Sequence, residues 1–211
     1  MDFSTSYNTV PTNYIDIYLI DISDIIHSSK DHHIVSCFSK KLAISLCSKY
    51  IGLEKSSLNE HTTQYGKPYF KEAPHFHFNI SHSGIWIGCA VSSQDIGLDI
   101  QKIIRRHHNI VSSQLFSPYE INSIFSDGSY DNAAYFHLWT AKESYAKCIG
   151  TGFHTPFSSF TVMGSKVLSQ DGDSYCIQYY DGLNGYAIAV CTPSPAVIRH
   201  IKYIDVNDIT T

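Results

Sequence analysis

HFHFNISHSGIWIGCAVSSQDIGLDIQKI, residues 75–103, decides the fold, because three runs within it carry strand chemistry. HFHFNIS, GIWIGCAVS and DIGLDIQKI are rich in β-branched and aromatic residues, with Ser/Gly or Ser/Gln/Asp turns between them. The pattern predicts an antiparallel meander. Toward the N-terminus, YIDIYLIDI (14–22) alternates large apolar residues with aspartates at the two-residue period of a strand. IVSCFSKKLAISLCSKYIGL (34–53) changes period, with apolar residues every third or fourth position, which predicts an amphipathic helix stopped near Gly52.

Toward the C-terminus the charged patch KIIRRHH precedes SPYEINSIF (117–125). There Ser117 as N-cap, Pro118 at N1 and Glu120 at N3 make a capping box, so a helix is expected from Pro118. A second helix is expected from Asp131 or Asn132 to Gly150, a C′ glycine. The β-like runs FTVMG, YCIQYY and YAIAVCTPS follow, and RHIKYIDV adds a candidate last strand. Each half thus reads as strand or loop, helix, then strands. The expectation is an α+β, pseudo-duplicated, two-lobed fold, with lobes 1–103 and 104–211 that are each a mainly antiparallel sheet packed with helices.

Composition bounds the function. With 211 residues, 43% hydrophobic and 13% aromatic, the chain can bury a substantial core. A net charge of −4 argues against a partner bound by neutralising a phosphate backbone, so no nucleic acid is expected and any anion site must be local. The six cysteines show no CxxC pair, which favours reduced thiols over a zinc ribbon or disulfide scaffold. Neither a signal-like N-terminus nor a membrane-length apolar run is present in the sequence, so a cytoplasmic protein without membrane contact is expected.

Residues 136–152, FHLWTAKESYAKCIGTG, gather Trp139, Lys142, Glu143 and Lys147. On a helix Trp139, Glu143 and Lys147 are i, i+4 neighbours, and Leu138, Ala141, Tyr145, Cys148 and Ile149 form a separate apolar stripe. Taken alone, Glu143 and Lys147 read as an exposed helical ion pair worth a few tenths of a kcal/mol. Two other stretches favour a cleft. In IGLDIQ, Asp99 and Gln101 share a strand face, and a carboxylate among Ile96, Leu98, Ile100 and Ile103 calls for a cation or many hydrogen bonds. The alternative is an Asp bonded to backbone amides. Asp99 and Glu143 together would suit Mg²⁺ that keeps several waters and binds substrate phosphates. In FNISHSG, Asn79, Ser81, His82 and Ser83 enter a turn that can cradle an anion or serve as ordinary hairpin chemistry. Lys67 in YGKPYF stands in a restrained loop that could hold an ammonium near a phosphate.

The order GKP, FNISHS, IGLDIQ, WTAKESYAK closely resembles the 4′-phosphopantetheinyl transferase superfamily, in its two-lobed type that acts on carrier domains of peptide and polyketide synthases. The resemblance runs from Gly66 to Gly152. It implies an enzyme with its active site between the lobes, transferring the phosphopantetheine arm of coenzyme A, the co-substrate, to a serine of an apo acyl or peptidyl carrier protein and releasing adenosine 3′,5′-bisphosphate. It implies Mg²⁺ as cofactor, with Asp99 and Glu143 matching the metal-binding acids and Lys147 the lysine near the reacting phosphate. Lys67, Ser81 and His82 match residues that hold coenzyme A phosphates. Within the WxxKE pattern, Trp139 reads as packing and Lys142 as a secondary electrostatic contributor at the cofactor. Many members have Glu where this chain has Gln101, so the metal would take two carboxylates and either an amide oxygen or another water. A monomer is expected, with Leu115, Phe116 and Tyr119 as a carrier-docking patch. Against that patch stands a simpler role for Phe116, stapling the helix start to Ile121.

Two rival readings remain at this level. One is a catalytically weak carrier-protein or nucleotide-binding module whose metal affinity is lowered by Gln101. The other is a transition-metal site among the 12 histidines, which include His32/His33, His75/His77 and His107/His108; their spacing matches no established single-site pattern.

Overall fold

The structure, a computed structural model, describes residues 13–26, 32–106, 111, 113–169 and 171–209; of Ser126 and Phe153 it describes only the backbone. The first segment forms β1 (Tyr14–Asp21), α1 (His32–Ile51), β2 (Glu60–Thr62), β3 (Pro68–Phe70), β4 (His77–Ser83), β5 (Trp86–Ser92) and β6 (Gly97–Lys102). Then come α2 (Pro118–Ile124), β7 (Phe125–Ser126), β8 (Ser129–Tyr130) and α3 (Asn132–Cys148). The chain finishes with β9 (Phe160–Met163), β10 (Lys166–Ser169), β11 (Ser174–Tyr179), β12 (Tyr186–Thr192) and β13 (Val197–Ile204). The α+β class and the two principal sheets agree with the sequence reading.

One sheet runs β13-β1-β5-β4 and the other β6-β12-β11-β10-β9. The expected meander of β4, β5 and β6 is corrected here. β5 already lies between β1 and β4, so it has no free edge for β6, which crosses to pair antiparallel with β12. β13 returns the other way and lies parallel to β1. A boundary between residues 103 and 104 therefore divides the chain but not its sheets, each of which borrows a strand from the opposite half.

The alternation in β1 explains how the layers stack. Tyr18, Ile20 and Ile22 face the core beneath α1, while Ile15, Ile17 and Leu19 face Leu98, Ile100 and Ile188 of the second sheet. A third core lies between α3 and the second sheet's other face. No helix among the described residues is long and apolar enough to cross a membrane.

Both helix starts expected in the second half are present. The Ser117–Glu120 capping box forms, and Asp131 Oδ1 accepts from the Ala133 and Ala134 amides at 2.8 and 3.0 Å. At the far end Gly150, at φ +75°, closes α3 in the left-handed conformation.

α3 rests directly on β6. A Cβ at Gly97 would stand 1.8 Å from Ser144 O and 2.5 Å from Cys148 N, both backbone atoms that cannot rotate away. Gly97→Ala is therefore expected to force α3 off the sheet at a cost of about 3 kcal/mol or more. Denaturant unfolding measures this; unchanged stability would show that the contact is looser than described.

Candidate active site

Strand β6 and helix α3 supply the acids, and β4 supplies the opposing wall. A cavity of about 660 Å³ opens between them, lined by Ser81 and His82 of β4, Asp99 and Gln101 of β6, and Trp139, Glu143 and Lys147 of α3. The i, i+4 stripe thus faces the cleft, and it extends one turn further back than the sequence reading took it, to Tyr135. Arg106 and Phe136 also line this cavity. Arg106 belongs to the KIIRRHH patch, whose charge was legible but whose destination depends on Asn132: its amide nitrogen donates to Ile104 O, and its oxygen accepts from Arg106 N–H, both at 3.0 Å.

Asp99 is the hub. It is buried, with 5% of its surface exposed. Its Oδ1 accepts from Lys147 Nζ at 2.6 Å and from Ser81 Oγ at 2.9 Å. Lys147 also donates to Ser81 Oγ at 3.0 Å and to Leu98 O at 3.2 Å, and its partly exposed side chain borders the cavity. Asp99 Oδ2 is buried and has no hydrogen-bond partner among the described residues.

Glu143, 9% exposed, stands close enough to Asp99 to feel its charge. Burial, reinforced by repulsion from Asp99 and partly offset by Lys147, pushes its carboxyl up to about 7. Desolvation and the Lys147 ammonium hold the His82 imidazole below its usual value, against a smaller opposing pull from Asp99. An unpartnered buried carboxylate oxygen beside a second carboxylate raised by burial and, secondarily, by like-charge repulsion is the environment a divalent cation relieves. The donor set fits a hard ion such as Mg²⁺. Among the described residues no group of three or more His, Cys, Asp or Glu side chains is disposed to hold a metal, so such an ion would rest on two carboxylates, either the Gln101 amide or another water, and ligand oxygens. His107 and His108 lie outside the described residues.

One lysine and one phenylalanine depart from their expected places. Lys142 does not enter the cleft. It is wholly buried on the far side of α3, where Nζ meets Glu120 Oε1 at 2.8 Å, Phe157 O at 2.9 Å and Phe160 O at 3.0 Å. Burial lowers its pKa, while Glu120 opposes the shift. The capping-box Glu120 is its partner, so the two features are one device. Lys67 borders a smaller hollow of about 190 Å³ that shares Ile80 and Lys147 with the main cavity. Its ammonium is directed to Cys148 O at 2.8 Å and Ile96 O at 3.3 Å, tying the end of α3 to the approach to β6. Phe116 is fully buried and packs edge-to-face on Tyr135, so it belongs to the core rather than to a docking patch. Tyr119 is 52% exposed, and Leu115 packs at the core margin. Trp139 stacks on Tyr135 and packs on Phe157, as its packing role requires, while also forming cleft wall.

Comparison with known proteins bears on this arrangement. The family model of the 4′-phosphopantetheinyl transferase superfamily matches residues 95–191, a span that contains Asp99, Glu143 and Lys147. The chain is similar to a 4′-phosphopantetheinyl transferase of Bacillus subtilis, with 38% identity covering 70% of this chain and 68% of the relative. It is also similar to the 4′-phosphopantetheinyl transferase Sfp of Bacillus subtilis strain 168, with 35% identity covering 80% and 78%. More distantly it resembles the L-aminoadipate-semialdehyde dehydrogenase-phosphopantetheinyl transferase of Saccharomyces cerevisiae, with 25% identity covering 74% and 63%.

Proposed function

The chain belongs to the 4′-phosphopantetheinyl transferase superfamily, and on that premise we propose that its cleft transfers the 4′-phosphopantetheine arm of coenzyme A to a serine of an apo acyl or peptidyl carrier protein, releasing adenosine 3′,5′-bisphosphate. The observation that carries this reading is the convergence of Asp99, Glu143, Lys147 and Ser81 from three elements on one cavity. In this reading the protein acts as a cytoplasmic monomer.

The pyrophosphate of coenzyme A lies against Lys147, whose ammonium counters charge on the phosphate under attack. Asp99 and Glu143, with Gln101 beside them, would hold Mg²⁺, which would supply further neutralisation of the phosphate oxygens. The carrier serine oxygen forms a new ester bond to the phosphorus that bears the pantetheine arm. The P–O bond to the nucleotide breaks, and its electron pair leaves on the nucleotide phosphate. Glu143 accepts the serine proton, directly or through water. Trp139 and Tyr135 wall the cleft, and Ser81 keeps Lys147 and Asp99 in register. Most of the rate enhancement then comes from positioning and charge stabilisation, as phosphoryl-type transfer requires.

Chromatography of a mixture of the protein, coenzyme A, apo-carrier and Mg²⁺ tests the bond that breaks. Adenosine 3′,5′-bisphosphate should appear in equal amount to modified carrier, and a chelator should stop both. Carrier modification without that product would place the cleavage at another bond.

A further inference from the structure

Strand β6 has two edges, and β12 occupies one. Among the described residues no strand pairs with the other, yet side chains meet its backbone at alternate positions. The N–H groups of Leu98, Ile100 and Lys102 donate to Asn79 Oδ1, Ser81 Oγ and Ser83 Oγ at 2.8, 3.1 and 2.9 Å. The carbonyls of Ile96 and Leu98 accept from Lys67 and Lys147 at 3.3 and 3.2 Å. The donors recur every second residue because alternate amides of a strand point to the same edge, and the acceptors recur every second residue of β4 because alternate side chains share a face. Asn79-x-Ser81-x-Ser83 is thus a side-chain ladder that takes the place of a strand, joining the first sheet to the second.

The two strands it joins carry opposite walls of the cleft. Ser81 and His82 ride on β4, and Asp99 and Gln101 on β6. Ser81, the middle rung, borders the cavity and bonds Asp99 directly. Ser83 borders neither the main cavity nor the hollow beside it. We infer that Asn79 and Ser83 are positioning residues for transfer: their side chains fix the offset between the sheets, and so the distance across which one coenzyme A molecule is held by both walls. The role rests on the coenzyme A reading above. It is separable from that reading because the ladder has a readout of its own in the ligand-free protein.

That readout is amide hydrogen exchange at Leu98, Ile100 and Lys102, whose protection at this edge comes from side chains alone. In Ser83→Ala, exchange at Lys102 should accelerate about ten-fold, the equivalent of one hydrogen bond. Ser83→Thr, which keeps the acceptor oxygen, should exchange like the parent protein. Asn79→Ala and Asn79→Asp should repeat the contrast at Leu98. Calorimetry with adenosine 3′,5′-bisphosphate then reads the cleft: affinity should fall about five-fold in Ser83→Ala and recover in Ser83→Thr, with carrier KM unchanged. Faster exchange with undiminished nucleotide affinity would make the rung merely structural and overturn the positioning role. Unchanged exchange would overturn the ladder itself. Failure of the parent protein to bind coenzyme A or the nucleotide would overturn the coenzyme A reading, and this role with it, whatever the exchange rates.

Discussion

Glu143→Gln is expected to lower carrier modification about 10³-fold at pH 8, the range seen on loss of a proton acceptor, while making the metal-free protein more stable. The stability gain follows from the site's electrostatics. Glu143 is raised from an ordinary 4.5 to about 7 in the folded protein, so between those values the folded state binds more protons than the unfolded one and stability falls as pH rises. Above pH 7 the buried carboxylate is ionised, at a cost of about 3 kcal/mol by the size of the shift. Removing the charge recovers part of that cost. Thermal unfolding in chelator should show Glu143→Gln several degrees above the parent at pH 8, with the difference gone below pH 4.5. Mg²⁺ should reverse the order, because the cation favours the ionised carboxylate of the parent alone. An active variant, or one with no pH-dependent stability difference, would remove Glu143 from its assigned place. Because the cation favours the ionised carboxylate, carrier modification by the Mg²⁺-bound parent should be lost only at a pH below the metal-free value of about 7, and raising Mg²⁺ should move that loss to lower pH.

Lys142→Met should have the largest effect on stability, with little direct consequence for the reacting groups. It leaves Glu120 buried with hydrogen bonds from Ser117 N–H at 2.6 Å and Val162 N–H at 2.7 Å but without its cation. Removing one partner of a buried pair costs about 3–5 kcal/mol. The Phe157 and Phe160 carbonyls lose a donor in the same step. A double change, Glu120→Gln with Lys142→Met, should recover much of the loss, since no charge then remains buried. Urea midpoints of the single and double variants check this. A single variant as stable as the parent would mean that the ammonium is solvated rather than buried. Folded Lys142→Met should keep its affinity for coenzyme A, because Lys142 lies outside the cleft; weakened binding without a loss of stability would return it there.

The contrast between Lys142 and its neighbour shows what a sequence can reveal. The i, i+4 spacing of Trp139, Glu143 and Lys147 identified the stripe that faces the cavity. Lys142, one residue from Glu143, is turned by about 100° around the helix, and its partner lies 22 positions earlier in the chain. Motif order grouped Lys142 with Glu143, whereas the helical turn separates them. Helix ends were legible because caps are local: Ser117, Asp131 and Gly150 all act within one turn. Strand partners were not. The short β5–β6 connection suggested a hairpin, but β1 and β4 flank β5 on both sides, a fact distributed over the whole chain. The alternation of Asn79, Ser81 and Ser83 was visible, and a turn that cradles an anion was a fair reading of it. Only the crossing of β6 supplied the amides those side chains accept from.

Transfer itself can be observed as covalent change. Mass spectrometry of apo acyl and peptidyl carrier proteins, incubated with coenzyme A, Mg²⁺ and this protein, should show the gain of one phosphopantetheine group. The gain should be absent from a carrier whose acceptor serine is replaced by Ala. No mass gain on any carrier across a broad panel, from protein that is folded and binds coenzyme A, would contradict the proposed reaction.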